Sequence, residues 1–402
     1  MIKLFFLFIL MITKIMASTD CKNLKTPNDL LKCIVENHTD MKVLRSQVKS
    51  KMFSVELASQ RINPQVEFEA LDKIGKGFSL ESSLVHTFEF GNKRYARTLF
   101  AKSETELLKT DFLKYQEEIT IETVKNLYRI RQIDHEIQII QEIIKTFLKI
   151  TQQYAQAGQL APEDEISISV FKMALEENKL KNNALVNEKK EIIEKIQMSI
   201  SQKLIIEKMH LPKIKKRWPK LAVMKLSGSQ LLQISKKLKL ANANYQLQKS
   251  NSSQNLSIGP KIEIERDQQT ETKIGITLSI PLPVFSSNAP GVDQSLSEIS
   301  SVTLQNSVIR NRLERKKNYY YEVYKRVSAT LNNSLTKKQV VLKNKNIHKI
   351  IERGVVSAPI IIEFHRQTMN YFETLHQQEL VVVHAFWTIA ALEGRILKEK
   401  LN

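Results

Sequence analysis

The sequence predicts a mainly α-helical protein with a small β part, built as two structural repeats. Three observations carry this. Gly and Pro number only 10 each in 402 residues, whereas average usage gives roughly 48 together, so turns are scarce and elements long. Two short stretches alternate apolar and polar residues, and each precedes a run in which apolar residues step by three and four. The landmarks of the first half recur in the same order in the second. With 42% hydrophobic and 26% charged residues, the chain is neither a polytopic helical membrane protein nor a disordered tail. Its +19 balance invites nucleic acid or an anionic membrane surface as partner.

The first element weakens the nucleic-acid reading. Lys3 gives a positive start, Leu4 to Ile12 is unbroken apolar chain, and Ile15-Met16-Ala17 ends on a small residue, the layout of a secretory signal peptide over residues 1–17. An exported chain does not meet nucleic acid in ordinary function. Cleavage would remove Lys3 and Lys14 and leave the mature chain strongly basic. Its two cysteines, Cys21 and Cys33, lie near the new N-terminus; in an oxidising compartment they can close a disulfide that pins the first helix. The competing reading, acylation of Cys21, lacks the Leu-Ser/Ala-Gly/Ala pattern before the cysteine, since Ser18-Thr19-Asp20 stands there.

Residues 18–62 read as an N-terminal helical segment ending at Asn63-Pro64. A β-hairpin over 63–92 follows: Val66, Phe68 and Ala70 alternate with Gln65, Glu67 and Glu69, then Leu80, Leu84, Phe88 and Phe90 alternate with Ser79, Glu81, Ser83 and Glu89. Residues 93–208 form a long helical hairpin. Its first arm carries Leu127, Ile130, Ile133, Ile137, Ile140, Ile144 and Phe147, a coiled-coil seam. Free of Gly and Pro from Lys93 to Ala157, that arm would be roughly 100 Å long. The tip turn falls at 158–162, where Gly158 suits a left-handed C-cap and Pro162 the first turn of a return helix to about Glu207.

Pro212, Trp218, Pro219 and Gly228 mark an inter-repeat segment with its own helix over 209–253. The second hairpin spans 254–285, with Ile258, Ile262 and Ile264, then Ile274, Ile276, Leu278, Ile280 and Leu282, on its apolar side. A second long helical hairpin fills 286–402, with its tip turn at 354–359, from Gly354 to Pro359, and a return helix from Ile360 to Lys398.

Strands of about ten residues with one apolar face suit a transmembrane barrel, which must close to satisfy its edges. Single-chain barrels begin at about eight strands. Four strands per chain therefore imply that several chains share one barrel. The alternative is a soluble four-stranded sheet packed on helices; Phe78 near one strand end, and Phe88 and Phe90 near the other, favour the membrane.

Thr87-Phe88-Glu89-Phe90-Gly91-Asn92-Lys93-Arg94-Tyr95-Ala96-Arg97 resembles the strand-to-helix junction of the CzcC-like heavy-metal branch of TolC-family outer-membrane efflux proteins. Gly354-Val355-Val356-Ser357-Ala358-Pro359, with Glu363, His365 and Arg366 after it, is similar to that branch's second tip turn. The likeness spans the mature chain. It implies a TolC-like homotrimer sharing a 12-stranded barrel in outer-membrane lipid, with a helical tunnel in the periplasm, joined by an adaptor (membrane fusion protein) and an inner-membrane pump of the RND type. One departure is plain: Ser286 to Gly291 lacks the cations that Lys93 and Arg94 supply in the first repeat.

No catalytic constellation, cofactor motif or metal-binding cluster is legible. Gly75-Lys76-Gly77 lies in a hairpin loop rather than a phosphate cradle, and no Gly-x-Ser-x-Gly elbow occurs. His365, His376 and His384 fall roughly in phase on the last helix; they are either packed or solvated side chains, or a sparse row of rings on a tunnel wall. By resemblance, Glu363 takes the place of a gate carboxylate. Glu163, Asp164 and Glu165 are further tip carboxylates, which threefold symmetry would turn into rings favouring cations; the helix dipole alone also accounts for them. Resemblance likewise puts Gly158, Leu160, Gly354 and Val355 at the tip turns that meet the adaptor.

The function expected is a passive exit duct in the outer membrane, with heavy-metal cations as cargo by resemblance. Drug efflux and type I protein secretion are alternatives within the class. A secreted helical-rod structural protein is the alternative outside it.

Overall fold

The computed structural model describes residues 21, 24–73, 77–156, 161–215, 217–267, 269–285, 287–334, 339 and 356–401. The expected signal peptide, the loop glycine Gly75, and Gly158, Leu160, Gly354 and Val355 of the tip turns lie outside the described residues. In chain order the elements are α1 (Pro27–Asn37), α2 (Thr39–Ser59), β1 (Gln65–Lys73), β2 (Gly77–Phe88), α3 (Lys93–Gln156), α4 (Pro162–Ile200), α5 (Ser229–Asn251), β3 (Leu256–Arg266), β4 (Thr270–Ser279), α6 (Ala289–Asn333) and α7 (Ala358–Leu392). Short 3-10 turns follow at Lys208–His210 and Ile396–Lys398. Long helices and one small antiparallel sheet make up the arrangement, as the sequence predicts. No described helix is long and apolar enough to cross a membrane.

The chain divides into two compact units. The sheet unit comprises Leu44–Leu113 and Ser229–Leu313. Its four strands lie in the order β1-β2-β3-β4, antiparallel throughout. The two sequence repeats thus form one sheet by pairing β2 with β3. That ladder skips Leu84 and Val85 opposite Pro260 and Gly259. Pro260 has no N–H to donate, and a Cβ at Gly259 would lie 1.8 Å from the Leu84 carbonyl oxygen, so the strands meet this closely only because residue 259 is glycine. Below the sheet, Thr98 and Thr105 of α3 donate to the Ala58 and Lys51 carbonyls of α2 at 3.1 Å each. Lys236 of α5 reaches Glu106 of α3 at 3.0 Å.

The helical unit comprises the described parts of Met1–Val43, Lys114–Gly228 and Glu314–Asn402. Its core contains the α3 seam: Leu127, Ile130, Ile133, Ile140 and Phe147 are at most 1% exposed. Cys21 and Cys33 are disulfide-bonded, and a Thr26–Asp29 capping box starts α1. Asn28 clamps the C-terminus, donating to the Leu401 carbonyl at 2.9 Å and accepting from its N–H at 2.7 Å.

Three elements end earlier than their sequence periodicity suggests. α4 stops at Ile200, short of Glu207, because Ser201 turns left-handed with φ 53 and its neighbour Gln202 bonds back to Gln197. α7 stops at Leu392, short of Lys398, where Gly394 takes φ 67 and the Arg395 N–H bonds the Ala390 carbonyl, a Schellman closure. β4 stops at Ser279, before Ile280 and Leu282, because Pro281 and Pro283 cannot donate to a ladder.

Candidate functional site

Facing residues in an antiparallel pair share a side of the sheet, so the register sorts the strands into two faces. One face carries Val66, Phe68, Leu80, Leu84, Ile262, Ile264, Ile274, Ile276 and Leu278. Phe68 is 74% exposed and Ile274 82%, so no described part of the chain covers this face. Among the described residues β1 and β4 have one partner strand each, which leaves two edges as a template for further strands. The strands run 9 to 12 residues, the length that crosses a bilayer when tilted.

The opposite face carries Glu67, Glu69, Glu81, Glu263, Glu265 and Glu271 against Lys261 and Lys273. Lys261 holds Glu81 at 2.5 Å and Lys273 holds Glu265 at 2.6 Å. Ser79 donates to Glu263 at 3.3 Å. Glu69, Glu81 and Glu263 fall in one transverse row, and the face is net negative among the described side chains. A barrel lined this way favours cations in its lumen.

At the helical tips, Ile143, Phe147, Phe171, Ala174, Leu175, Ala358 and Ile361 form one buried cluster that holds α3, α4 and α7 together. Pro162 and Pro359 each sit in the first turn of the helix that follows a tip. Glu163, Asp164 and Glu165 occupy the first turn of α4. Glu363 lies one turn into α7, its side chain 47% exposed and paired with Arg366 at 2.6 Å. Hydrogen bonds from Gln367 and then Arg366 hold its carboxyl below the ordinary value. It is therefore ionised, but it shares its charge with a neighbouring guanidinium.

The helical unit also buries a polar cluster that the sequence did not announce. Glu136 of α3, 1% exposed, accepts from His376 Nδ1 at 2.6 Å and from Arg129 at 2.9 Å. Arg129 continues to Glu188 of α4 at 2.6 Å. Burial opposes ionisation of Glu136, yet the His376 and Arg129 bonds outweigh it and hold the carboxyl below its ordinary value. Arg131 pairs with Glu379, and Gln132 donates to the same carboxylate at 2.8 Å. The network locks α7 against α3, and α3 against α4, by charge as well as by packing.

This cluster decides between the two readings of the histidines. His365 is 5% exposed and stands edge-on to Phe147, with ring centroids 5.4 Å apart. His376 is 6% exposed, between Glu136 and His135. His384 packs on Tyr320 at 5.4 Å, and burial pushes its imidazole below the ordinary value. His365 and His376 are buried and His384 is half-buried, all packed against side chains of this same chain rather than set in a row on a wall. No group of three or more metal-ligating side chains occurs among the described residues. The one sequence signal for the network was its residue types, since Gln132, His135 and Glu136 stand within the apolar seam.

No family model matches the sequence, and no curated protein does. Solved structures do match. The outer-membrane channel CmeC of Campylobacter jejuni superposes with a TM-score of 0.71 at 12% identity, over 93% of this chain and 89% of that one. The open-state outer-membrane channel MtrE of Neisseria gonorrhoeae gives 0.71 at 11%, over 92% and 90%. The outer-membrane protein VceC of Vibrio cholerae gives 0.68 at 11%, over 91% and 97%. The likeness runs through nearly the full length of each, both repeats included, and establishes the fold.

Proposed function

We propose that this chain is the outer-membrane channel of a tripartite efflux system. Three copies join β1 of one to β4 of the next, closing a 12-stranded barrel whose apolar face meets lipid and whose carboxylate face lines the exit. The observation that carries this reading is the sheet itself, with its uncovered apolar face, two open edges and strands of spanning length. A four-stranded sheet satisfies neither face nor edges alone, and membrane-spanning sheets must close. The channels with which the chain shares its fold are described as outer-membrane channels, which supports the same placement here. The duct is passive: it breaks no bond and takes its energy from an inner-membrane pump, with the tips meeting a periplasmic adaptor. The junction and tip-turn motifs favour an RND-type system exporting heavy-metal cations, and the carboxylate face agrees with cationic cargo.

Expression of the full chain, followed by membrane fractionation, tests the placement. Heat-resistant trimers in the outer membrane that conduct in planar bilayers are the expected result; a soluble monomer that binds no membrane overturns it. The sensitivity of a deletion strain to metals and to drugs then separates the cargo classes.

A further inference from the structure

The strand-to-helix junction of the first repeat forms a cleft that the channel reading leaves without a role. Its volume is about 480 Å³, and it lies between the residues that enter β1, the end of β2 and the first turn of α3, all within the sheet unit. Arg61, Lys93 and Arg94 line it. Glu89 is the only carboxylate among the lining residues, and it is already engaged: Arg97 binds both its oxygens, one at 3.1 Å, while donating to the Ala58 carbonyl at 2.7 Å. Lys93 donates to the Asn255 side-chain oxygen at 2.7 Å, a neutral partner. No ion pair involves Arg61, Lys93 or Arg94 among the described residues. The cleft thus gathers three cations with no carboxylate left to balance them.

Its setting makes that imbalance costly. α3 begins at Lys93 and has no acidic residue in its first turn. A helix N-terminus carries partial positive charge and its free N–H groups favour an anion. Lys93 and Arg94 at the first two positions repel that end and each other. The backbone is committed to the turn, since Gly91 and Asn92 both adopt left-handed conformations, with φ 70 and 58. Three cations and the first turn of α3 border a space that an anion with several oxygens would satisfy.

His86 and Phe88 pair with Ile258 and Leu256 on the apolar side of the sheet, and Thr87 pairs with Ser257 on the other, so the cleft sits at the end of β2 and takes lining residues from both faces. Phe88, Phe90 and Tyr95, exposed by 47%, 51% and 65%, stand at this same strand end, as aromatic residues do at a membrane boundary. We propose that the cleft is a binding site for the phosphate headgroup of an anionic phospholipid, with Arg61, Lys93 and Arg94 holding the phosphate and the aromatic side chains flanking the upper acyl chain. This rests on the outer-membrane reading, which puts the helix-bearing end of the sheet at the periplasmic leaflet. The second repeat has no equivalent, because residues 286–291 carry no cation, so each protomer would take one lipid at this level.

Native mass spectrometry of the full chain in detergent, titrated with dihexanoyl phosphatidylglycerol, tests the assignment. The wild type should bind this lipid at least ten-fold more tightly than dihexanoyl phosphatidylcholine, a comparison that needs no variant. Arg61→Gln with Arg94→Gln should weaken phosphatidylglycerol binding at least ten-fold, whereas Lys220→Gln with Lys225→Gln, an equal charge change in the helical unit, should leave it unchanged. Equal affinity for the two lipids, or equal loss in both double variants, overturns the proposal. Displacement of the lipid by an equal concentration of inorganic phosphate would reassign the cleft to free phosphate. Because the measurement is made in detergent, it reads the cleft even if fractionation fails to place the chain in the outer membrane.

Discussion

Glu136 of α3 and His376 of α7, 240 positions apart in sequence, share a 2.6 Å hydrogen bond in the interior of the helical unit. Arg129 joins them from one side and His135 from the other. Such a bond puts a charged group inside a helical seam, where it is tolerated only while its partners stay in place.

Acid should loosen this joint. The folded-state carboxyl of Glu136 lies below its ordinary value, so its contribution is fully present above the unfolded-state value of about 4.3 and is lost as pH falls through the folded value. Thermal unfolding followed from pH 7 down to pH 3 should show an acid limb that Glu136→Gln flattens. At pH 7, Glu136→Ala should cost about 3–5 kcal/mol, the usual penalty for breaking a buried pair. An unchanged acid limb in the Gln variant would remove Glu136 from this role.

Assembly should respond to which face of the sheet is altered. Ile276 and Thr277 are neighbours on β4, but Ile276 pairs with Pro260 on the apolar face and Thr277 with Gly259 on the opposite one. A cation on a lipid-facing strand position costs about 2–4 kcal/mol near the bilayer midplane. Ile276→Arg should therefore deplete heat-resistant trimers from the outer membrane, while Thr277→Arg should leave trimers and reduce cation preference in bilayer recordings. The reverse pattern would mean that the carboxylate face, not the apolar one, meets lipid.

The sequence is most readable where one periodicity acts alone. Alternation in β1 to β4 sorts each strand into an apolar and a polar face, as the register shows, and of the three-four steps from Leu127 to Phe147 all but Ile137 and Ile144, which are half-buried, lie in the core. Helix ends were less readable: Ser201 takes a left-handed cap that a serine does not advertise, and Gly394 closes α7 inside a run that still looks helical. Pairing between distant positions was not readable. Nothing local in Glu136 or His376 points to the other, and the alignment of Glu69, Glu81 and Glu263 exists only once β2 pairs with β3. The cleft was half visible, because Lys93 and Arg94 stood out as a motif while the commitment of Glu89 to Arg97 did not.

The disulfide should matter for stability more than for conduction. Cys21 and Cys33, 12 positions apart, anchor the chain ahead of α1, whose Asn28 in turn clamps Leu401. Loop-closure entropy for a loop of this size is worth about 3 kcal/mol. Reduction, or Cys21→Ser with Cys33→Ser, should lower the unfolding midpoint of the protein and leave single-channel conductance unchanged. Equal stability of oxidised and reduced protein would show that the Asn28 clamp suffices.

Glu363 offers the sharpest test of gating at the tips. Its carboxylate is ionised at neutral pH, and its partners Arg366 and Gln367 come from its own helix, so it can move with α7 without breaking contacts to another element. In a trimer three such groups would form a ring whose field is partly cancelled by three guanidinium groups. Two variants then separate charge from shape. Glu363→Gln removes the negative charge and should reduce cation selectivity in single-channel recordings, while Arg366→Gln removes the cancelling charge and should increase it. If both variants conduct with wild-type selectivity, the ring does not sit at a constriction, and the carboxylates of the sheet become the better candidates for the filter.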